Sequence, residues 1–198
     1  QGADFIISAC NSVSCSVIVP MLEVFGGINP NIIEMVGPTT LALRKTKTPI
    51  TIVATEATVA SNMYQTALKK YGITPHMFPV SGLAAAIETN DKKIINEKID
   101  EILNTASQNK SEILLLACTH YPLVRQDFLS AACAINLNIN IVDPAEFVAT
   151  SALAHYGTEG TGSLKFFISR KSTRFDAYVS TLFPTTRRKD KLIITQYI

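Results

Sequence analysis

Short apolar runs rich in β-branched residues alternate along this chain with longer segments in which apolar residues recur at helical spacing. Such alternation is typical of βα units that build a mostly parallel sheet flanked by helices. The apolar runs predict strands at Asp4–Ser8, Ile32–Val36, Ile50–Ala54, Glu112–Ala117, Asn138–Val142, Leu164–Ser169 and Lys191–Ile198. We therefore expect an α/β protein.

The segments between the strands predict helices. Helical spacing is clearest in Lys92–Thr105, and Gly72 is a natural stop for the helix that precedes it. Helices are predicted at Ser12–Phe25, Ser61–Tyr71, Lys92–Thr105, Leu123–Ala134, Ala145–Tyr156 and Ser172–Leu182. Pro20 is expected to kink the first of these, because proline removes a backbone donor and crowds the preceding turn.

Two stretches rich in glycine or proline interrupt the pattern, at 37–40 and from Asp143 to Gly162. We interpret them as crossings between two similar lobes. The outer lobe would comprise residues 1–38 and 143–198, and the inner lobe residues 39–142. Each lobe is expected to be a mostly parallel sheet flanked by helices, with the active site in the cleft between the lobes.

The composition favours a globular protein that acts on a small molecule. The chain has 198 residues, is 47% hydrophobic and carries a formal charge of +2, so neither nucleic acid nor an anionic membrane is expected as its partner. The basic cluster at 187–191 is interpreted as a solvated loop. No run approaches the roughly 18 apolar residues of a membrane helix, and we expect a cytoplasmic protein. A homodimer is compatible with the sequence.

Four cysteines carry the candidate chemistry, at positions 10, 15, 118 and 133. They are too few and too scattered for a disulfide scaffold, so free thiols are expected. Cys10 and Cys118 each follow a predicted strand, at the edge where parallel sheets bind ligands. Each also precedes a predicted helix, whose N-terminus is expected to lower the thiol pKa. Cys15 and Cys133 lie within predicted helices and are interpreted as small core residues.

The residues beside these two cysteines are polar where apolar packing does not require it. Asn11, Ser12, Thr119 and His120 suit a bound carboxylate or amine. A metal site is the alternative, with three cysteines and His120 as conceivable ligands. The C-x4-C and C-x-H spacings differ from those of common zinc sites, so we expect no metal.

Two motifs resemble those of glutamate racemases, within the aspartate/glutamate racemase superfamily. Ser8–Ser12 is similar to the family's first cysteine motif, A-C-N-T, and Leu116–Leu123 to its second, G-C-T-H-Y-P. Ala54–Val59, with Ser61 and Tyr64, resembles the family's threonine-rich loop, and Glu88 matches an acidic position. His120 indicates glutamate, because aspartate racemases typically carry glutamate at the position after Cys-Thr.

The resemblance implies a racemase that uses two thiols and no cofactor. Cys10 would deprotonate D-glutamate and Cys118 L-glutamate, and the product would supply D-glutamate for peptidoglycan. It further implies that Glu88 orients or tunes His120. The substrate would be held by Asn11, Ser12, Thr55, Thr58, Thr119 and His120. His76 and His155 match no family motif and are interpreted as ordinary histidines.

The sequence also departs from the family pattern. The family's N-terminal Asp-Ser-Gly and Tyr-Gly motifs do not occur ahead of Gln1, so we expect an N-terminal segment to be missing, and Ser12 stands where threonine is usual. Three alternatives stay open: an aspartate racemase, another isomerase or decarboxylase of the superfamily, or a shortened and inactive binding module. Missing strands would leave an unpaired sheet edge with exposed apolar side chains beside Asp4–Ser8.

Overall fold

The computed structural model describes residues 5–16, 31–157, 164–168, 173–182 and 192–196. The chain forms two compact units, Gln1–Gly157 and Thr158–Ile198. The strands of the first unit are β1 (Phe5–Ile7), β2 (Asn31–Ile33), β3 (Ile50–Ala54), β4 (His76–Pro79), β5 (Ile113–Ala117) and β6 (Asn140–Val142). Its helices are α1 (Asn11–Ser14), α2 (Val36–Leu43), α3 (Glu56–Ala60), α4 (Met63–Lys69), α5 (Leu83–Thr89), α6 (Lys92–Gln108), α7 (Arg125–Ala134) and α8 (Pro144–Tyr156), with a 3-10 turn at Tyr121–Val124.

A four-stranded parallel sheet in the order β4-β3-β5-β6 is the centre of the first unit. All five residues of β3 are buried, and Ile50 to Ala54 pair in register with Ile113 to Ala117 of β5. Such continuous burial explains the apolar runs in the sequence, because helices cover both faces of a parallel sheet. The predicted α/β class is confirmed.

Side chains of β5 alternate between two apolar clusters, one on each face of the sheet. Leu114 and Leu116 pack with α5, α6 and α7, whereas Leu115 and Ala117 pack with residues of α2 and α4. α6 contributes Ile95, Ile99, Ile102 and Leu103 to the first cluster. Asp91 caps this helix by accepting a hydrogen bond from the Ile94 N–H at 3.1 Å.

A second, smaller sheet leads into the first cysteine motif. β1 and β2 pair in parallel, and the Ser8 N–H donates to the Ile33 carbonyl at 2.8 Å. Phe5 and Ile7 remain 48% and 45% exposed, although the Phe5 ring lies 4.1 Å from that of Tyr156. Within the described residues no strand other than β2 pairs with β1.

The second unit contains β7 (Leu164–Ile168), α9 (Thr173–Leu182) and β8 (Leu192–Gln196). β7 and β8 are parallel and pair along their whole length. The Phe166 and Phe175 rings contact edge to face, with centroids 5.4 Å apart. No helix in the described part of the chain is long and apolar enough to cross a membrane.

Several predicted elements differ from the structure. β2 ends at Ile33, and Val36, which we assigned to that strand, begins α2 instead. The stretch 37–40, interpreted as a lobe crossing, lies inside α2, where Pro38 is tolerated because N–H groups of the first turn have no intrahelical acceptor.

The first predicted helix is observed over Asn11–Ser14, and its predicted continuation over 17–25 lies outside the described residues, as does the basic cluster at 187–191. The pattern missed β4, α2, α3 and α5.

Candidate active site

Cys10 lies at the turn between β1 and α1. Its backbone is extended, with φ −134° and ψ 122°, and its carbonyl accepts the Ser14 N–H at 2.8 Å. The Ser14 hydroxyl lies 3.0 Å from that of Ser8 and accepts the Met35 N–H at 3.2 Å. These bonds hold the turn in place and leave the Cys10 side chain partly exposed.

Cys118 directly follows β5 and is only 7% exposed. Its Sγ lies 3.9 Å from His120 Nδ1, and His120 Nε2 lies 2.7 Å from Glu88 Oε1. Glu88 belongs to α5, which approaches the end of β5 from another part of the chain. The structure therefore aligns a carboxylate, an imidazole and a thiol in one row.

Burial raises the pKa of the Cys118 thiol above its ordinary value, the His120 backbone hydrogen bond lowers it, and repulsion from Cys10 raises it again. The expectation that a helix N-terminus lowers the pKa of Cys118 is wrong. A four-residue 3-10 turn separates His120 from the start of α7 at Arg125, and desolvation by burial is the largest cause of the raised pKa. The two cysteine motifs are close in the fold, because Ala117, which precedes Cys118, pairs in register with Ala54, and the next residue, Thr55, bonds to Ser12.

Three hydroxyl groups join the first cysteine motif to the loop after β3. Ser12 Oγ lies 2.9 Å from Thr55 Oγ1 and 3.3 Å from Thr58 Oγ1, and the two threonine oxygens are 3.1 Å apart. Thr55 also caps α3 by accepting the Thr58 N–H. Thr58 is fully buried, so its hydroxyl has a defined position. The sequence predicted all three residues for the site, and the structure brings them together.

Asn11 is held by a residue to which the sequence analysis gave no role. The Tyr64 hydroxyl donates to Asn11 Oδ1 at 2.6 Å, and both side chains are buried. Tyr64 belongs to α4 and was noted only as part of the threonine-rich segment. The chain separation of 53 residues gives no local signal for this contact.

Thr119 and the other cysteines and histidines differ in exposure. Thr119 is partly exposed between Cys118 and His120. Cys15 is half-buried, and burial raises the pKa of its thiol. Cys133, which we expected to pack as a small core residue, is exposed on α7. His76 and His155 are both exposed. Among the described residues no group of three or more histidine, cysteine or carboxylate side chains could hold a metal ion.

Comparison with known proteins gives a consistent family match. The sequence profile of the Asp/Glu/hydantoin racemase family matches residues 1–152. The glutamate racemase of Aquifex aeolicus is 27% identical over 197 residues, covering 92% of this chain and 70% of that protein. That of Persephonella marina is 30% identical over 185 residues, covering 88% of this chain and 67% of that protein.

Solved structures share the fold. A glutamate racemase of Bacillus anthracis superposes with a TM-score of 0.79 at 20% identity, covering 98% of this chain and 74% of the other. The glutamate racemase of Francisella tularensis, solved in complex with D-glutamate, gives a TM-score of 0.77 at 21% identity, again covering 98% and 74%. This chain is thus shorter than each of these relatives.

Proposed function

The chain belongs to the Asp/Glu/hydantoin racemase family, and on that premise we propose that it interconverts L-glutamate and D-glutamate without a cofactor. Glutamate is favoured because His120 stands at the position where the resemblance separates glutamate from aspartate racemases. Relatives that bear the name glutamate racemase support the same choice. The proposal includes supply of D-glutamate for peptidoglycan, and a cytoplasmic location, which suits free thiols.

The observation that supports this proposal is that the two cysteine motifs meet at one end of the β3–β5 pair: Ser12 bonds to Thr55, and Ala54 pairs in register with Ala117, the residue before Cys118. Racemisation removes the α-proton on one face of the substrate and adds a proton on the other, so it needs two acid/base groups. In one direction the Cys10 thiolate takes the proton of D-glutamate while the Cys118 thiol delivers its own. In the other direction the roles are reversed. The raised pKa of Cys118 suits its role as proton donor in the resting enzyme.

Glu88 and His120 are proposed to assist Cys118 when it must act as a base. If His120 donates its Nε2 hydrogen to Glu88 Oε1, the lone pair of Nδ1 faces the Cys118 sulfur. The imidazole can then accept a hydrogen bond from the thiol and favour its ionisation once L-glutamate is bound. Glu88 acts through His120 by selecting this tautomer.

Six polar side chains are proposed to hold the substrate: Asn11, Ser12, Thr55, Thr58, Thr119 and His120. Each hydroxyl of the Ser12, Thr55 and Thr58 group can donate as well as accept, so with the oxygen in place its hydrogen can rotate from a neighbouring hydroxyl toward a carboxylate. Donors aimed at the α-carboxylate stabilise the negative charge that develops as the α-carbon loses its proton.

The test is circular dichroism of L-glutamate and D-glutamate incubated separately with the wild type and with Cys10→Ala and Cys118→Ala. Each substitution should slow racemisation by about 100-fold or more in both directions, because each thiol serves as base in one direction and acid in the other. The matched control is Cys133→Ala, since Cys133 is exposed on α7 and outside the site. This variant should keep wild-type activity.

Two outcomes would reject the proposal. Equal residual racemisation in all three variants would exclude the two-thiol mechanism. Faster turnover of aspartate than of glutamate by the wild type would instead assign the chain as an aspartate racemase.

A further inference from the structure

The side-chain amide of Asn11 is incompletely bonded. Asn11 is 2% exposed, and its Oδ1 accepts the Tyr64 hydroxyl, yet its Nδ2 has no hydrogen-bond partner among the described residues. A buried donor without an acceptor is unfavourable, and native proteins rarely keep one without a reason. The next residue is Ser12, whose hydroxyl bonds to that of Thr55 in the candidate site, and the preceding residue is Cys10. The unpaired Asn11 amide therefore belongs to the residue between Cys10 and Ser12, inside the first cysteine motif.

Tyr64 determines which end of this amide remains available. Its side chain is fully buried in the apolar cluster of α2, α4 and β3, so its ring has little freedom to move. Burial raises the pKa of Tyr64 far above the neutral range, and the phenol therefore stays protonated and able to donate. A donor must meet an acceptor, so the phenol binds Oδ1 and leaves Nδ2 for another partner.

We propose that Tyr64 is a positioning residue, whose hydroxyl holds the Asn11 amide so that Nδ2 donates to a carboxylate of the bound amino acid. This inference rests on the proposed function, because it takes the dicarboxylate substrate as the missing acceptor. An amide donor suits a carboxylate better than the substrate ammonium group, which offers no lone pair. Tyr64 itself need not touch the substrate.

Tyr64→Phe removes the hydroxyl and keeps the ring in the core. The amide can then rotate, and KM for both enantiomers should rise about tenfold, which corresponds to one lost hydrogen bond to a charged group. The kcat should fall by a smaller factor than KM rises, because most of the carboxylate charge is already present in the ground state and only the charge that develops in the transition state affects kcat. A loss confined to kcat, or an unchanged KM, would overturn the inference.

Asn11→Asp is the complementary variant. It preserves the shape of the side chain and an acceptor for Tyr64, but replaces the Nδ2 donor by an oxygen that repels a carboxylate. Its KM should rise more than that of Tyr64→Phe, and combining the two substitutions should add little to the effect of Asn11→Asp alone. Additive effects would show that Tyr64 acts by a route other than Asn11.

Thr51→Val serves as the structural control. Thr51 and Ser111 form a buried hydroxyl pair at 2.7 Å near the opposite end of the sheet, so this variant also loses one internal hydrogen bond. Both Thr51→Val and Tyr64→Phe should lower the melting temperature, but only Tyr64→Phe should raise KM. Equal increases in KM for Thr51→Val and Tyr64→Phe would show that Tyr64 has only a structural role.

Calorimetric titration with D-glutamate separates failure of this inference from failure of the proposed function. A wild type that binds glutamate but does not racemise it would reject the function, and the dissociation constants of the variants would still test Tyr64. A wild type that racemises glutamate with the same KM as Tyr64→Phe would reject the inference alone. Absence of both binding and turnover would reject both.

Discussion

The state of the Cys118 thiol can be measured directly. Burial raises its pKa, so the thiolate forms only at a higher pH than for an ordinary thiol. Alkylation by iodoacetamide requires the thiolate, and its rate at Cys118 should therefore keep rising above about pH 8.5, the reference pKa of a free cysteine. Mass spectrometry of the Cys118 peptide after timed labelling across the pH range gives this profile. A rate that levels off below that pH would contradict the raised pKa.

Also at the residue scale, the sequence named several residues that contact one another in the structure, but it did not predict all of their contacts. Ser12 was predicted as a polar residue just after a strand end, and Thr55 and Thr58 only through the resemblance to the threonine-rich loop of glutamate racemases. The bond between Tyr64 and Asn11 could not be predicted, because it depends on how α4 packs against the sheet. The pKa of Cys118 was predicted in the wrong direction, since burial of the thiol is a tertiary property.

Among the elements, α6 is the one for which the effect of a substitution on stability is clearest. Ile102 is fully buried on this helix, whereas Ile94 on the same helix is 39% exposed. Ile102→Ala should lower the free energy of unfolding by about 2–5 kcal/mol, because it removes buried apolar area and leaves a cavity. Ile94→Ala is the matched control and should cost less than about 1 kcal/mol. Urea unfolding followed by circular dichroism measures both, and equal losses would contradict the orientation of α6.

The elements that the sequence predicted best are those with the most regular burial. β3 was predicted with its observed bounds because every one of its residues is buried and apolar or β-branched. β4 has only four residues with mixed burial, which is too short for a periodic signal, and it is identified as a strand only by its pairing with β3. The short helices α3 and α5 were missed for the same reason, since five and seven residues give at most two turns.

For the whole molecule, the predicted family and fold class are confirmed. Alternation of strands and helices sufficed for the class, and two cysteine motifs sufficed for the family. The four-stranded sheet lies entirely within the predicted inner lobe, 39–142, but the division into lobes stays a prediction. Such boundaries depend on how separate sheets are arranged in space, which local hydrophobic patterns do not encode.

Stability should also be distributed unevenly across the first unit. β3 and β5 are central in their sheet and almost fully buried, so their amides should exchange with solvent only when the unit unfolds. β1 pairs with one strand through three residues and exposes Phe5 and Ile7. Its amides should therefore exchange by local opening, without unfolding of the whole unit. Hydrogen exchange followed by mass spectrometry should therefore show exchange at least about 100-fold faster in β1 than in β3 and β5. Equal protection would mean that β1 is stabilised by contacts beyond its pairing with β2. Faster exchange in β1 would mean that Cys10, three residues after this strand, lies in a less stable part of the unit than Cys118, which follows β5.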